Sequence, residues 1–172
     1  MSKHQYGFTP QRSTTDAAMA VNGFVEEGLA AGEIIALISL EVKGAFDVAW
    51  WPRILNGLQA CNCPKNLYNL SKSYFSQQST VISSNNVSIQ RTVTKGSPQG
   101  SCCGPGYWNI QYNSLLNLQF TKRSKAVAFA DDLILAIRSE TIRAVENISN
   151  IEMSKITKWA KNKKDQFQRR EV

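Results

Sequence analysis

The sequence predicts an α+β fold, and three observations carry that prediction. Apolar residues recur at helical spacing in several stretches of ten residues or more. Short runs rich in Ile, Val and Ala have the length of strands, and one pair of them is joined by only two residues. No internal repeat or low-complexity linker interrupts the pattern, so one compact unit is the simplest organisation. At 172 residues the chain is long enough to close a core. With 42% hydrophobic and 19% charged residues, it excludes a disordered, collagenous or coiled-coil class. Its net charge of +7 permits a polyanionic partner without requiring one.

The first helix is expected over residues 13 to 30, because Ser13-Thr-Thr-Asp16 reads as a capping box and Ala17, Val21, Phe24, Val25 and Leu29 share a face. Gly28 and the Ala30-Ala-Gly32 stretch end it. Glu33 to Leu40 is an Ile-rich run too short for an independent helix, which predicts a central strand. Pro52 suits the first turn of a helix carrying Ile54, Leu55 and Leu58, and Pro64 opens another with Leu67, Leu70, Tyr74 and Phe75 inward. Period-two spacing from Ser79 to Thr94 predicts a hairpin turning over Ser83-Ser-Asn-Asn86. Lys95-Gly-Ser-Pro-Gln-Gly-Ser101 reads as a loop, followed by a helix through Trp108, Leu115, Leu116 and Leu118. Ala126 to Ala130 and Leu133 to Ile137 are strands of a tight hairpin at Asp131-Asp132, since Asp tolerates the positive φ such a turn asks for. Ser139 to about Lys164 is a long amphipathic helix with Ile142, Val145, Ile148, Ile156 and Trp159 apolar.

No run of about 18 uncharged apolar residues is present, so no membrane span is expected. The N-terminus lacks the apolar stretch of a secretory signal, which favours an intracellular assignment. Cys61, Cys63, Cys102 and Cys103 match no zinc spacing, and His4 is the one histidine; reduced core cysteines are the expectation.

The chemistry centres on carboxylates. Asp131 and Asp132 at a hairpin tip repel one another unless a cation offsets them. Glu41 ends another apolar strand, so three acidic side chains converge if that strand neighbours the hairpin. An all-oxygen cluster suits Mg²⁺. The same Asp-Asp pair is also ordinary turn chemistry, and Asp47 serves equally as an N-terminal charge for the next helix.

Phe129-Ala-Asp-Asp132 resembles the Tyr/Phe-x-Asp-Asp box of reverse transcriptases, Leu40-Glu-Val-Lys-Gly-Ala-Phe-Asp47 their first palm motif, and Lys95-Gly-Ser-Pro-Gln-Gly-Ser101 their Pro-Gln-Gly loop. Gln5-Tyr-Gly-Phe8, Arg12-Ser-Thr14, Trp108-Asn109 and Trp159 resemble the endonuclease-encoding non-LTR (LINE-like) retrotransposon branch. The boxes occur in the family's order, over essentially the whole chain. The resemblance implies a right-hand polymerase palm, an antiparallel sheet backed by helices, with partial fingers and the thumb missing. It divides the chain into a fingers remnant and helix (1–32), a palm core (33–138), and a palm helix with basic tail (139–172). It further implies RNA-directed DNA synthesis by two-metal nucleotidyl transfer, with two Mg²⁺ ions, or Mn²⁺, as cofactor. RNA template, DNA primer and dNTPs are the implied partners, with no membrane; the remaining fingers, thumb and endonuclease segments would belong to a parent polyprotein. Nuclear residence is implied by the family alone.

Carried over by position, Asp131 and Asp132 match catalytic aspartates, Glu41 stands where the first catalytic aspartate is expected, and the Val42 carbonyl matches a backbone metal ligand. Phe46 matches the steric gate that selects deoxynucleotides; a core aromatic is the alternative. Gly96, Pro98, Gln99 and Gly100 resemble the element under nucleotide and template base, and Arg12 a contact to template or nucleotide, with a solvated surface arginine as the alternative.

Glu41 is the main departure from the family pattern. Its extra methylene displaces the carboxylate by about 1.5 Å, so weakened or absent turnover is expected. The residues from Ser154 onward hold +5 of the +7, and Lys161, Lys163 and Lys164 are candidates for nucleic-acid backbone contact. A solvated helix end is the alternative there, and a non-catalytic nucleic-acid-binding remnant is the alternative for the whole chain.

Overall fold

The computed structural model describes residues 1–85 and 87–168, with side chains described through residue 161. Five helices and five strands follow one another along these residues: α1 (Thr14–Ala30), β1 (Ile34–Glu41), α2 (Trp51–Ala60), α3 (Lys65–Tyr74), β2 (Ser79–Ser84), β3 (Val87–Thr92), α4 (Gly104–Leu116), β4 (Ser124–Phe129), β5 (Asp132–Ser139) and α5 (Ile142–Gln168). The α+β class is the one the sequence predicts. The chain forms two compact units, a sheet unit of residues 2–42 and those from Asn113 on, and a second of Met1 with Lys43–Tyr112. Among the described residues, no helix is long and apolar enough to cross a membrane.

In the sheet unit, three antiparallel strands stand in the order β1-β5-β4. β5 is therefore central and β1 an edge, the reverse of the expectation for β1. Composition explains the error: both strands are apolar, but Leu133, Leu135, Ala136 and Ile137 of β5 are buried, whereas Ile34 and Leu37 of β1 stay exposed. The register opposes Ile38 to Leu135 and Glu41 to Asp132, and Phe129 to Asp132 on the other side.

Helix α1 lies against one face of this sheet. Phe24 is buried there beneath the Arg138 guanidinium, 4.5 Å from the ring centroid. Gly28 permits the close approach, since a Cβ at that position would meet Ile35 Cδ1 at 2.5 Å. Leu29, expected inward, is exposed because Gly28 takes the contact position. The helix begins as predicted: Ser13 Oγ accepts from the Asp16 N–H at 3.1 Å, and Asp16 Oδ2 accepts from the Ser13 N–H at 2.7 Å. Ser13→Ala is expected to lower stability by about 1 kcal/mol, read as a shifted urea midpoint.

α5 serves the opposite face, where Glu152 is fully buried. Its Oε1 accepts from the Thr121 N–H at 2.7 Å and the Ser124 hydroxyl at 3.2 Å. Its Oε2 pairs with Lys155 Nζ at 2.7 Å, and Lys155 also donates to the Gln119 carbonyl. The α5 face differs from expectation at Ile142, which is exposed, while Val145 is buried.

The second unit has its own core of Ala49, Trp51, Ile54, Leu58 and Phe75, with Tyr74, Tyr107 and Val93 at its margin. Trp51 stacks on Phe75 with centroids 5.4 Å apart. Leu67 and Leu70 of α3, expected inward, are exposed. The inward stripe of α3 runs instead through Tyr68 and Tyr74 and buried Ser71, whose hydroxyl meets Tyr107 OH at 3.0 Å. The hairpin turns later than expected: β2 continues to Ser84, which pairs with Val87, and Asn85 enters the turn with φ 45°. Val81, Ile82, Val87 and Ile89 of this hairpin are exposed. All four cysteines are free; Cys61 and Cys102 are exposed, so the core reading fails for them. Short polar loops, not packed strands, carry these thiols.

Candidate active site

The carboxylates predicted from sequence come from two adjacent strands of the sheet unit. β1 neighbours β5, so Glu41 at the last position of β1 stands directly opposite Asp132 at the first position of β5. Directly opposed residues have Cβ atoms about 4.5–5.5 Å apart on one face, and like charges there repel. Both side chains are exposed, and Asp131 in the turn is half-buried. Val42 follows β1 directly and is half-buried. On the same face, a groove of about 820 Å³ between α1 and the sheet is lined by Thr14, Val21, Leu37, Val127 and Phe129 and reaches Asp132.

The hairpin turn differs from the sequence expectation. Because Phe129 pairs with Asp132, the two turn residues are Ala130 and Asp131. Ala130, not an aspartate, carries the left-handed backbone, φ 57°. Positive φ at the first central position alone is the type II′ pattern, in which glycine is the favoured residue. An alanine there requires support from outside the turn.

That support comes from the N-terminal segment. The Ala128 N–H donates to the His4 carbonyl and the Tyr6 N–H to the Ala128 carbonyl, both at 2.8 Å, extending β4 with a short parallel bridge at Gln5. The Gln5 side chain is buried. It donates to the Ala130 carbonyl at 3.0 Å and accepts from the Ala130 N–H at 3.1 Å and the Gly7 N–H at 3.0 Å. Gly7 lies so close that a Cβ would sit 2.0 Å from the Ala130 nitrogen. Sequence reasoning gave Gln5 and Gly7 no role of their own, because the contact spans 125 residues and no local periodicity points to it.

The loop candidates belong to the second unit. The Gly96 N–H donates to the Ala49 carbonyl at 2.7 Å and the Ser97 N–H to the Phe46 carbonyl at 2.8 Å. Trp51 Nε1–H donates to the Gly96 carbonyl at 2.7 Å. These bonds join the loop to the segment after β1, while Gly96 and Gly100 adopt left-handed φ of 97° and 83°. Pro98, Gln99 and Gly100 are exposed, and Ser101 Oγ accepts from the Gly104 N–H at the start of α4. Phe46 is half-buried, its ring edge 3.4 Å from the place a Gly104 Cβ would occupy. Trp51→Phe would keep the stack on Phe75 and remove the bond to Gly96. The expected loss is about 1 kcal/mol, with faster amide exchange at Gly96 and Ser97 as the measurement.

Arg12 donates to the Lys3 carbonyl and, at 3.0 Å, to the Gln5 carbonyl, and its guanidinium lies 5.0 Å from the Tyr6 ring centroid. Its bonds thus tie it to the segment that covers the hairpin. Asp47 is exposed and precedes the first turn of α2, whose N-cap is Trp50. Lys161 is exposed on α5; the side chains of Lys163 and Lys164 and the end of the basic tail lie outside the described residues.

Among the described residues, no three His, Cys, Asp or Glu side chains group closely enough to hold a metal ion. The donor chemistry nevertheless fits a hard cation. Mg²⁺ is bound through one or two carboxylates and completes its shell with water and substrate phosphates, and Glu41 with Asp132 supplies two on one face.

A family model described as reverse transcriptase (RNA-dependent DNA polymerase) matches residues 1–168. The chain is 32% identical to a 115 kDa protein in type-1 retrotransposable element R1DM of Drosophila melanogaster, over 90% of this chain and 15% of that protein. It is 29% identical to a retrovirus-related Pol polyprotein from type-1 retrotransposable element R1 of Bradysia coprophila, over 94% of this chain and 16% of the other. It is 25% identical to the RNA-directed DNA polymerase from mobile element jockey of Drosophila melanogaster, over 93% of this chain and 18% of that one. The chain therefore spans less than a fifth of the length of these relatives.

Proposed function

The chain belongs to the reverse transcriptase (RNA-dependent DNA polymerase) family, in its non-LTR retrotransposon branch, and on that premise we propose that it carries the catalytic palm of an RNA-directed DNA polymerase with weakened turnover. The observation that supports this reading is the register of Glu41 against Asp132 beside the Asp131 turn. That register sets two carboxylates side by side at the ends of adjacent strands, where, among the described residues, no lysine or arginine forms an ion pair with either.

The family generally uses divalent metals. In this chain Glu41, Asp132, Asp131 and the Val42 carbonyl would hold them. Two bound ions would supply an activated primer 3′-hydroxyl and stabilise the leaving pyrophosphate. Within the sheet unit, Glu41 and Asp132 fix the place of charge; within the second unit, taken by itself, the family pattern assigns Phe46 the role of a gate against a ribose 2′-hydroxyl and the Gly96–Gly100 backbone a nucleotide or template-base contact. Template RNA, primer DNA and dNTPs are the proposed substrates, the other polymerase segments of a parent polyprotein the proposed partners, and the nucleus the proposed location.

Primer extension on an RNA template with Mg²⁺ tests the reading. Dideoxy-terminable extension that disappears in Asp131→Asn or Asp132→Asn is the expected result; extension equal in those variants rejects these carboxylates as the site. The absence of a three-carboxylate group among the described residues favours a second reading, a nucleic-acid-binding remnant without catalysis. Under it, primer–template binding would persist in the Asp132→Asn variant and fall steeply with salt.

A further inference from the structure

We propose that Gln5 is a positioning residue of this site: its primary amide clamps Ala130 in the left-handed turn and thereby sets where Asp131 and Asp132 stand. The proposal rests on reading those aspartates as members of the site above. Ala130 is an L-residue in a backbone region that glycine favours at this turn position, φ 57°. Left alone, an alanine there would populate other conformers and carry the two following carboxylates with it. Gln5 answers both backbone groups of Ala130 at once, donating to its carbonyl at 3.0 Å and accepting its N–H at 3.1 Å. A carboxamide has one donor face and one acceptor face at the spacing of a peptide group, so it stands in for a strand partner where the strand has ended.

The clamp is itself held. Gln5 Oε1 also accepts the Gly7 N–H at 3.0 Å, and the flanking His4 and Tyr6 backbone groups are hydrogen-bonded to Ala128. Arg12 donates to the Gln5 carbonyl at 3.0 Å and stacks over Tyr6. Burial of Gln5 keeps water from competing for the Ala130 groups. Gly7 belongs to the same device, because any Cβ there would meet the Ala130 nitrogen at 2.0 Å. The amide touches no position where substrate chemistry is expected; it acts through Ala130.

The test is a Mn²⁺ titration of the full chain, read as paramagnetic broadening at the Asp131 and Asp132 amides, together with amide hydrogen exchange. Gln5→Ala is expected to weaken Mn²⁺ binding about tenfold and to speed Ala130 exchange by about tenfold, with mid-strand Leu135 and Ile137 still protected. Ala130→Gly in the Gln5→Ala background is expected to restore most of the Mn²⁺ affinity, since glycine adopts the turn unaided. Unchanged Mn²⁺ binding in Gln5→Ala, no recovery with Ala130→Gly, or protection lost evenly along β5 would each overturn the proposal. If the unsubstituted chain binds no Mn²⁺, the carboxylate reading fails instead. Exchange at Ala130 then decides the clamp alone: faster in Gln5→Ala supports it, unchanged overturns it.

Discussion

Glu41→Asp is expected to raise RNA-templated primer extension by the full chain by about a hundredfold, because a misplacement near 1 Å at a reacting centre removes a factor of that order. Glu41 is the last residue of β1 and is paired in register with Asp132, the first of β5. Leu40 and Ile38 of β1 stand opposite buried Leu133 and Leu135 of β5, and a one-residue slip of β1 would turn Leu40 and Ile38 to the other face, which fixes the register. The backbone at position 41 therefore cannot retreat to accommodate a longer side chain. The extra methylene moves the carboxylate about 1.5 Å along the side-chain axis. Aspartate withdraws it toward the strand end and keeps the charge. Initial rates of Glu41→Asp, Glu41→Gln and the unsubstituted chain on one RNA template with Mg²⁺ measure the effect. Glu41→Gln should fall below the unsubstituted chain; an active chain that Glu41→Asp leaves unimproved would show that glutamate already places its oxygens correctly.

What the sequence disclosed and what it concealed follow from the range of the interactions. The N-cap of α1 at Ser13 and Asp16 is a contact three residues long, so spacing alone exposes it. The β4–β5 hairpin is likewise local. Its turn, however, lies one residue earlier than composition suggests: composition favours Asp at positive φ, whereas Ala130 holds it only because Gln5 reaches it from 125 residues away. Edge and centre were exchanged for the same reason. The Ile-rich β1 looks like a buried strand, yet its place is set by β5 and β4 pairing with each other, which β1 does not encode. Leu67 and Leu70 look inward by hydropathy but lie outside, because the α3 stripe facing Tyr107 is built from Ser71 and tyrosines. For the candidate site, residue types and order were legible through a family pattern. Gln5 and Trp51 were not, since their bonds to Ala130 and Gly96 join segments that only the fold brings together.

The largest stability effect is expected from Lys155→Met. Glu152 is fully buried, and Lys155 Nζ stands 2.7 Å from its Oε2. Burial acts to raise the Glu152 pKa, but the Lys155 ammonium and the Thr121 donors outweigh it, leaving the group below its ordinary value of 4.5. Removing the ammonium leaves a buried carboxylate with only neutral donors, a change that destabilises by about 3 kcal/mol at neutral pH. Glu152→Gln/Lys155→Met should lose less, because neither partner then carries an uncompensated charge. A carboxylate whose folded pKa is depressed contributes stability that is present above the unfolded value and lost as pH falls through the folded one. In Lys155→Met, burial is no longer opposed by the ammonium, so protonation of Glu152 relieves the strain as pH falls. Urea midpoints of the unsubstituted chain and Lys155→Met should thus lie furthest apart near pH 7 and converge below pH 4.5. A gap that stays constant across that window would place the effect in lost packing of the lysine stem, not in the ion pair.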